Sequence, residues 1–163
     1  FPGPHSVMST SIDDLEEYLK PMGLKKRAKW LVRLVKDICE KHNCHIPDRE
    51  DELTQLSGVG RYTARAVLSF GFKKDVGIVD VNIGRVLSRA FGLLERKKRP
   101  SADVGLWALA STLVPKGEGP KYNEALLDFA ALVCRKVPLC YVCPVNEICE
   151  YYALTPSQKK LKA

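Results

Sequence analysis

The chain has 163 residues, of which 45% are hydrophobic, and its 26 basic and 19 acidic side chains give a net charge of +7. No apolar run is long enough to cross a bilayer, and the first residues lack a signal-peptide pattern, so we expect an intracellular protein (cytoplasm, nucleoid or nucleus) without membrane association. This size suits one compact domain or two small lobes, and the basic excess favours a polyanionic partner.

Helical periodicity runs along almost the whole chain. Ser11 is placed to cap a first helix that reaches Tyr18, and Pro21 and Gly23 end that helix. Apolar spacing predicts further helices over about 24–38, 47–56, 62–70, 82–90, 101–113 and 123–133. The short apolar run 76–79 could be mistaken for a strand, but no convincing sheet is evident. We therefore predict an all-α fold.

Two further features of the sequence can be explained without any function. Cys39 and Cys44 fall at the end of the second helix and in the loop after it, and we expect two ordinary thiols because no second cysteine pair flanks them. The basic runs 25–29 and 96–99 are either solvated helix ends and loops or parts of a polyanion-binding surface.

A glycine-containing turn, Leu56–Gly60, joins two of the predicted helices. Two glycines two positions apart permit a positive φ and a close approach of the backbone to a ligand. The amides of such a turn, with the N-terminus of the following helix, can point at a phosphate group. The turn is therefore either a phosphate-binding hairpin, with Leu56 and Val59 buried beneath it, or a plain helix–helix connection.

Four cysteines near the C-terminus have the spacing C-x5-C-x2-C-x5-C within sixteen residues: Cys134, Cys140, Cys143 and Cys149. Four thiolates so close in sequence can enclose one metal centre, either tetrahedral zinc or an iron–sulfur cluster. A disulfide framework is the alternative, but the chain is rich in core residues, unlike a small disulfide-stapled domain.

Together these segments resemble the endonuclease III superfamily of DNA glycosylases. The resemblance covers nearly the whole chain in order and rests on 56–64 (LSGVGRYTA), 79–80 (VD), 85–89 (RVLSR) and the four cysteines. Ser57 stands where that family's hairpin has proline, and the first cysteine pair is separated by five residues where the family usually has six.

The resemblance implies a helix-hairpin-helix GPD glycosylase fold, with a helical-barrel lobe over about 1–74 and a cluster lobe over about 75–163 flanking a DNA cleft. It implies a [4Fe-4S] cluster rather than zinc on Cys134, Cys140, Cys143 and Cys149, with a structural or DNA-positioning role. It also implies a monomer that binds double-stranded DNA carrying a mismatched or damaged base. The expected DNA-binding residues are Gly58, Val59, Gly60, Arg61, Thr63, Arg135 and Lys136.

Asp80 is the predicted catalytic carboxylate. From the residues alone a helix N-cap is the better interpretation, because Asp80 follows an apolar run and precedes a helix. Its position 18 residues after Tyr62, as in the family, favours catalysis. A carboxylate there stabilises the positive charge that develops on the sugar and orients or activates water.

Tyr62 stands where family members with lyase activity have lysine. Tyrosine cannot form a Schiff base, so we predict base release without strand cleavage, unless Tyr62 only packs on its helix. Tyr62 and segments such as 123–129 and 149–152 resemble the Mig-type mismatch glycosylases, which remove thymine or uracil opposite guanine.

Two alternatives stay open: a MutY-type adenine glycosylase, and a catalytically silent DNA-binding module with a structural metal. The resemblance also leads us to expect about thirty further residues ahead of Phe1, which would line the base pocket and supply a wedge into the duplex.

Overall fold

The computed structural model of this chain describes residue 1, residues 3–93 and residues 99–155. The chain divides into two compact units, Phe1–Ala64 and Arg65–Ala163. Every regular element among the described residues is helical, which confirms the all-α prediction. Most of the basic run 96–99 lies outside the described residues.

The first unit is built from short helices around one long helix. Its α-helices are α1 (Pro4–Met8), α2 (Ile12–Leu19), α3 (Ala28–His42), α4 (Glu50–Leu53) and the start of α5 (Arg61–Ala66), with 3-10 turns at Lys20–Met22 and Lys25–Arg27. The hydroxyl of Ser11 accepts the Asp14 amide at 3.1 Å, so Ser11 caps α2 as expected. The predicted helix over 47–56 is shorter than expected, because only Glu50–Leu53 is helical.

The core of the first unit lies where α1, α2 and α3 meet. Val7, Leu15, Ala28 and Val35 are buried there. Full burial of a valine or leucine side chain contributes about 1.5–3 kcal/mol, so Val7, Leu15 and Val35 each stabilise the unit. Val7 anchors α1, although that helix has only five residues.

The structure corrects one expectation in this unit. Cys39 and Cys44 are joined in a disulfide and are not two separate thiols. The helix α3 ends at Asn43, where φ is +50°, and Cys44 follows with φ +60°. Two successive left-handed residues turn the chain back toward the last turn of α3, which brings the two sulfurs together.

The second unit continues α5 into a π-helical turn (Val67–Gly71), and its described residues form four further α-helices. These are α6 (Val81–Ala90), α7 (Val104–Thr112), α8 (Gly119–Leu132) and α9 (Glu150–Leu154). Shorter 3-10 turns lie at Pro100–Ala102, Cys140–Val142 and Asn146–Ile148. Its core contains Ile83 and Leu87 of α6 together with Leu106 and Trp107 of α7, all at most 2% exposed.

The apolar run 76–79 has no regular secondary structure, and a buried amide side chain pairs with two of its backbone groups. The Asn123 side chain donates to the Val76 carbonyl at 2.8 Å and to the Ser69 hydroxyl at 2.9 Å. Its own oxygen accepts the Ile78 amide at 3.4 Å. Because buried backbone groups must be paired, Asn123 permits a non-helical segment in the core of a helical unit.

Gly84 lets α6 approach the 3-10 turn Pro100–Ala102 closely. A Cβ atom built on Gly84 would overlap the Pro100 ring and would lie 3.4 Å from Leu106. The absence of a side chain at this position is therefore part of how α6, which begins directly after Asp80, is seated.

Candidate functional site

The turn Leu56–Gly60 has the backbone that its sequence predicts. Gly58 has φ +77°, and the Val59 amide donates to the Leu56 carbonyl at 3.1 Å. Leu56 is buried beneath the turn and Val59 is half-buried, while Gly58 and Gly60 are exposed. An open, glycine-rich surface is thus presented just before α5.

Asp37 of α3 holds the turn from behind. Its carboxylate accepts the Ser57 amide at 2.8 Å. Hydrogen bonds from the side chain and backbone of Ser57, together with Lys41, hold the pKa of the Asp37 carboxyl below its ordinary value. Residue 57, the position where the family has proline, therefore contributes a backbone donor that proline lacks.

The residues that follow the turn lie on the first helical turns of α5. Arg61 and Thr63 are exposed, and Tyr62 is half-buried. The Arg61 side chain donates to Glu50 of α4 at 2.9 Å, which ties the two helices of the hairpin together. Tyr62 belongs to the first unit and Asp80 to the second, so their pairing stays a prediction.

Asp80 is the N-cap of α6, and its side chain is partly accessible. One carboxylate oxygen accepts the Ile83 amide at 2.7 Å, and the other accepts the side-chain amide of Asn82 at 3.0 Å. Asp80 therefore does cap α6, as one interpretation of the sequence predicts. The capping also fixes the orientation of the carboxylate, which a charge-stabilising role requires.

A chain of hydrogen bonds connects Asp80 with the first cysteine of the C-terminal four. Arg85 donates to the Asn82 side-chain oxygen at 3.0 Å, and Asn82 in turn donates to Asp80. The other guanidinium nitrogens of Arg85 donate to the carbonyls of Cys134 and Ala130, both at 3.0 Å. One face of α6 therefore carries both the catalytic candidate and the attachment to the cysteine loop.

The four cysteines line one small apolar pocket and have free thiols. Cys140 is buried, and Cys134, Cys143 and Cys149 are half-buried. Burial, and then the neighbouring cysteine sulfurs, raise the pKa values of the Cys140 and Cys143 thiols. Thiols in such a pocket resist ionisation, and a bound cationic centre supplies the charge that stabilises four thiolates. We call this group the cysteine cage.

The spacing of the sulfurs distinguishes two kinds of metal centre. A tetrahedral zinc ion with bonds of about 2.3 Å brings its sulfur ligands to within about 4 Å of one another. Among the described residues, one group of three possible metal ligands has its ligand atoms within 4.8 Å of one another: His5, Cys39 and Cys44. No member of the cage belongs to that group. Which of the two centres the cage holds stays a prediction of the family resemblance.

Arg89 braces the cage from α6. Its guanidinium donates to the carbonyls of Arg135 and Lys136 at 2.6 and 2.9 Å and lies 3.6 Å from the Cys134 sulfur. It also stacks over the ring of Tyr151, 4.9 Å from its centroid. Because Arg89 holds only the carbonyls of Arg135 and Lys136, their exposed side chains still face solvent.

Sequence reasoning missed the supporting residues Asp37, Asn82, Arg85 and Arg89. The contacts of Asp37, Arg85 and Arg89 join positions 20 to 49 residues apart. The run 85–89 contributed to the family resemblance, but its spacing alone gave no indication of which carbonyls its arginines bind.

A cavity of about 510 Å³ lies next to the cysteine cage, and Phe129 and Cys149 line both. Val86, Leu87, Leu126, Phe129 and Ile148 are among its apolar lining residues. Asp80 does not line it, so this cavity is separate from the catalytic candidate.

Comparison with known proteins agrees with this arrangement. A helix-hairpin-helix motif matches residues 41–70, which contain the turn. A thymine-DNA glycosylase from Aeropyrum pernix is 36% identical over 156 residues, which represent 93% of this chain and 70% of that protein. An adenine DNA glycosylase from Schizosaccharomyces pombe is 39% identical over 133 residues, 80% of this chain but 29% of that protein.

Solved structures of DNA glycosylases share the fold, and two of them show how closely. The structure of a thermostable thymine-DNA glycosylase superposes with a TM-score of 0.87 at 30% identity, and the match covers 95% of this chain and 72% of that one. A non-covalent endonuclease III–DNA complex gives a TM-score of 0.77 at 26% identity, with 100% and 73% covered. No helix in the described part of the chain is long and apolar enough to cross a membrane.

Proposed function

Because this chain belongs to the endonuclease III superfamily of DNA glycosylases and resembles its Mig-type members, we propose that it hydrolyses the N-glycosidic bond of thymine or uracil mispaired with guanine. The observation that carries the proposal is Asp80, a partly accessible carboxylate fixed at the start of α6 through both of its oxygens. Membership of an enzyme family argues against the silent DNA-binding module.

Asp80 acts on the sugar of a nucleotide that has left the base stack. A base inside a duplex is out of reach, so the target nucleotide is first flipped out. As the glycosidic bond breaks, positive charge develops on the sugar, and a fixed carboxylate stabilises it more than it stabilises the neutral ground state. The same carboxylate orients the water that replaces the base. Asn82 and Arg85 keep it in place.

Tyr62 takes the position of the lysine nucleophile and supplies no amine. The chemistry is therefore base release without a Schiff base. Borohydride treatment during turnover tests this: we expect no covalent protein–DNA adduct with the wild type. An efficiently trapped adduct would mean that a lysine elsewhere attacks the sugar.

The hairpin binds the DNA backbone without reading bases. The turn amides and the start of α5 offer donors to a phosphate, and Arg61 and Thr63 are exposed beside them. Arg135 and Lys136 add positive charge in the cage loop. The resulting contribution to affinity is independent of sequence and falls as salt rises.

The cage residues Cys134, Cys140, Cys143 and Cys149 hold a [4Fe-4S] cluster. The proposal is supported by their shared apolar pocket, by their free thiols and by the family resemblance. When bound, the cluster supplies a rigid structural centre, and glycosidic hydrolysis requires no electron transfer. The chain's own contribution is Arg89 and Arg85, which connect the cage loop to α6.

The choice of base rests on the thymine-DNA glycosylase relatives and on Tyr62. Adenine removal is the second candidate because the adenine DNA glycosylase from Schizosaccharomyces pombe is 39% identical over 133 residues. A pyrimidine in a mispair with guanine is easier to flip than a paired one, which favours release from T·G or U·G over T·A.

A base-release assay on T·G, U·G, T·A and A·8-oxoguanine duplexes separates these activities. We expect release from T·G or U·G and none from T·A. Release of adenine with T·G left intact would replace the proposal with the adenine-specific one. If the protein still binds DNA but releases a base from none of these duplexes, it is a catalytically silent DNA-binding module.

A further inference from the structure

A second group of soft metal ligands lies far from the cage in sequence and has no part in the proposed glycosylase chemistry. His5 of α1, Cys39 of α3 and Cys44 place one nitrogen and two sulfur atoms within 4.8 Å of one another. The His5 Nε2 atom lies 3.4 Å from the Cys44 sulfur. His5 is exposed and both cysteines are half-buried, so the group is accessible from solvent.

Besides the disulfide bond itself, backbone and core contacts hold these three residues near one another. The amide of Cys44 donates to the Ile38 carbonyl at 3.2 Å, which fixes the turn after α3. Val7, two residues after His5, is buried in the same core cluster as Val35. Cys39 is partly buried and packs against that cluster. A ligand set that is already assembled loses little conformational entropy when an ion binds.

We propose that His5, Cys39 and Cys44 form a zinc site in the reduced protein, with water as the fourth ligand, and that the Cys39–Cys44 disulfide is its oxidised, metal-free form. Two thiolates and one neutral imidazole balance the charge of Zn²⁺, and this donor set selects a soft or borderline ion over Mg²⁺ or Ca²⁺. Three protein ligands and one water complete the tetrahedral coordination of such an ion.

The exchange between the two forms balances as a thiol–disulfide reaction. A thiol reductant of the glutathione class supplies two electrons and two protons, which give the two thiols and the oxidised reductant. Binding of Zn²⁺ then releases the two thiol protons. A disulfide oxidant of the same class removes two electrons, re-forms the Cys39–Cys44 bond and releases the ion.

The two forms link different parts of the first unit. The disulfide connects only the last turn of α3 with the loop after it. The zinc form adds His5, so it also ties α1 to the end of α3. Asp37, which holds the hairpin turn through Ser57, lies two residues before Cys39 on the same helix. The proposed site therefore steadies the end of the helix that supports the hairpin.

The full chain is first treated with a phosphine reductant and then dialysed against a zinc buffer. Elemental mass spectrometry then measures its zinc and iron contents together. We expect one zinc per chain in the reduced wild type and none bound at this site after oxidation by glutathione disulfide. Cys39→Ser and Cys44→Ser should each lose that zinc while their iron content stays at the wild-type level. His5→Ala should weaken zinc binding by about tenfold or more.

His45→Ala is the matched control, because His45 lies beside Cys44 but its Nδ1 atom contacts the Asn43 carbonyl at 2.8 Å. We expect its zinc affinity to stay within about threefold of the wild type. Equal zinc content in the wild type and Cys39→Ser would overturn the proposal, as would equal zinc binding by the oxidised protein. A His45→Ala loss as large as that of His5→Ala would overturn the assignment of His5.

Alkylation gives a second readout that does not depend on the metal content of the cage. With Zn²⁺ present, Cys39 and Cys44 of the reduced protein should react with iodoacetamide at least about tenfold more slowly than in its absence. Peptide mapping identifies the modified cysteines. Unchanged reactivity at both positions would contradict a thiolate–zinc site.

Discussion

The hairpin turn of the first unit and the start of α6 in the second unit present their functional groups in different ways. The turn exposes backbone around Gly58 and Gly60. The helix α6 begins with one carboxylate, Asp80, which two donors hold in place. Binding at the turn should therefore depend on the shape of the main chain, whereas chemistry at α6 should depend on the charge of a single side chain.

The largest expected effect tests the chemical half of this comparison. Asp80→Asn should lower the rate of base release by about 10³-fold or more, because it removes the charge that stabilises the transition state. DNA affinity should stay within about threefold of the wild type. Single-turnover release and a binding titration measure the two quantities.

Asp103→Asn is the control for Asp80→Asn. Asp103 also caps a helix, α7, and accepts the Leu106 amide at 3.1 Å, but the proposal gives it no catalytic role. Asparagine is a good N-cap, so this variant should keep its activity. Equal losses in the two variants would show that Asp80 acts only as a cap.

The next effect concerns the cysteine cage, which Arg85 and Arg89 connect to α6. Cys143→Ser should reduce the iron content of the purified protein from about four per chain toward zero and lower its thermal midpoint. Elemental analysis and a thermal melt measure this. Cys39→Ser, a cysteine of the first unit, should leave the iron unchanged. Zinc without iron in the wild-type cage would refute the cluster.

A smaller effect tests the backbone half of the comparison. A Cβ atom on Gly60 would meet nothing within 4 Å, and Gly60 has no positive φ, so Gly60→Ala should keep the stability of the wild type. It should weaken DNA binding by about tenfold on every sequence, because the added methyl group blocks a close backbone–phosphate approach. Fluorescence anisotropy on unrelated duplexes measures this.

Two other glycines serve as controls for Gly60→Ala. Gly58 has φ +77°, so Gly58→Ala should cost about 1 kcal/mol of stability through backbone strain. Gly3 also has open space around it and lies outside the turn, so Gly3→Ala should leave DNA binding unchanged. If Gly60→Ala binds DNA as tightly as Gly3→Ala, the turn does not contact phosphate closely.

The smallest effect concerns the carboxylate behind the turn. The Ser57 hydrogen bonds lower the pKa of Asp37, so Asp37 stabilises the folded state above its ordinary pKa of 3.8, and this contribution is lost as pH falls through the lowered value. Asp37→Asn should therefore reduce stability at neutral pH, and the difference from the wild type should vanish in strong acid. Denaturation at several pH values measures it, with Glu40→Gln on the same helix as the control.

How much the sequence could predict differed between the two regions for a physical reason. The turn and the cysteine spacing depend on neighbouring residues, so Gly58, Gly60 and the four cysteines could be identified from the chain alone. The contacts of Arg85 and Arg89 join positions more than forty residues apart, and no local pattern encodes them. The Cys39–Cys44 pair was mispredicted because it depends on two left-handed residues, Asn43 and Cys44, of which neither is glycine.

The close contact between Gly84 and Pro100 has a consequence for reading variation in relatives of this protein. Any side chain at position 84 must displace the Pro100 ring, so a deep mutational scan would record Gly84 as intolerant to every substitution. Its intolerance would equal that of Asp80, four residues earlier, although Gly84 touches no substrate. A map of fitness alone would therefore assign this buried helix contact to the active site, and only a separate measurement of protein abundance would distinguish the two positions.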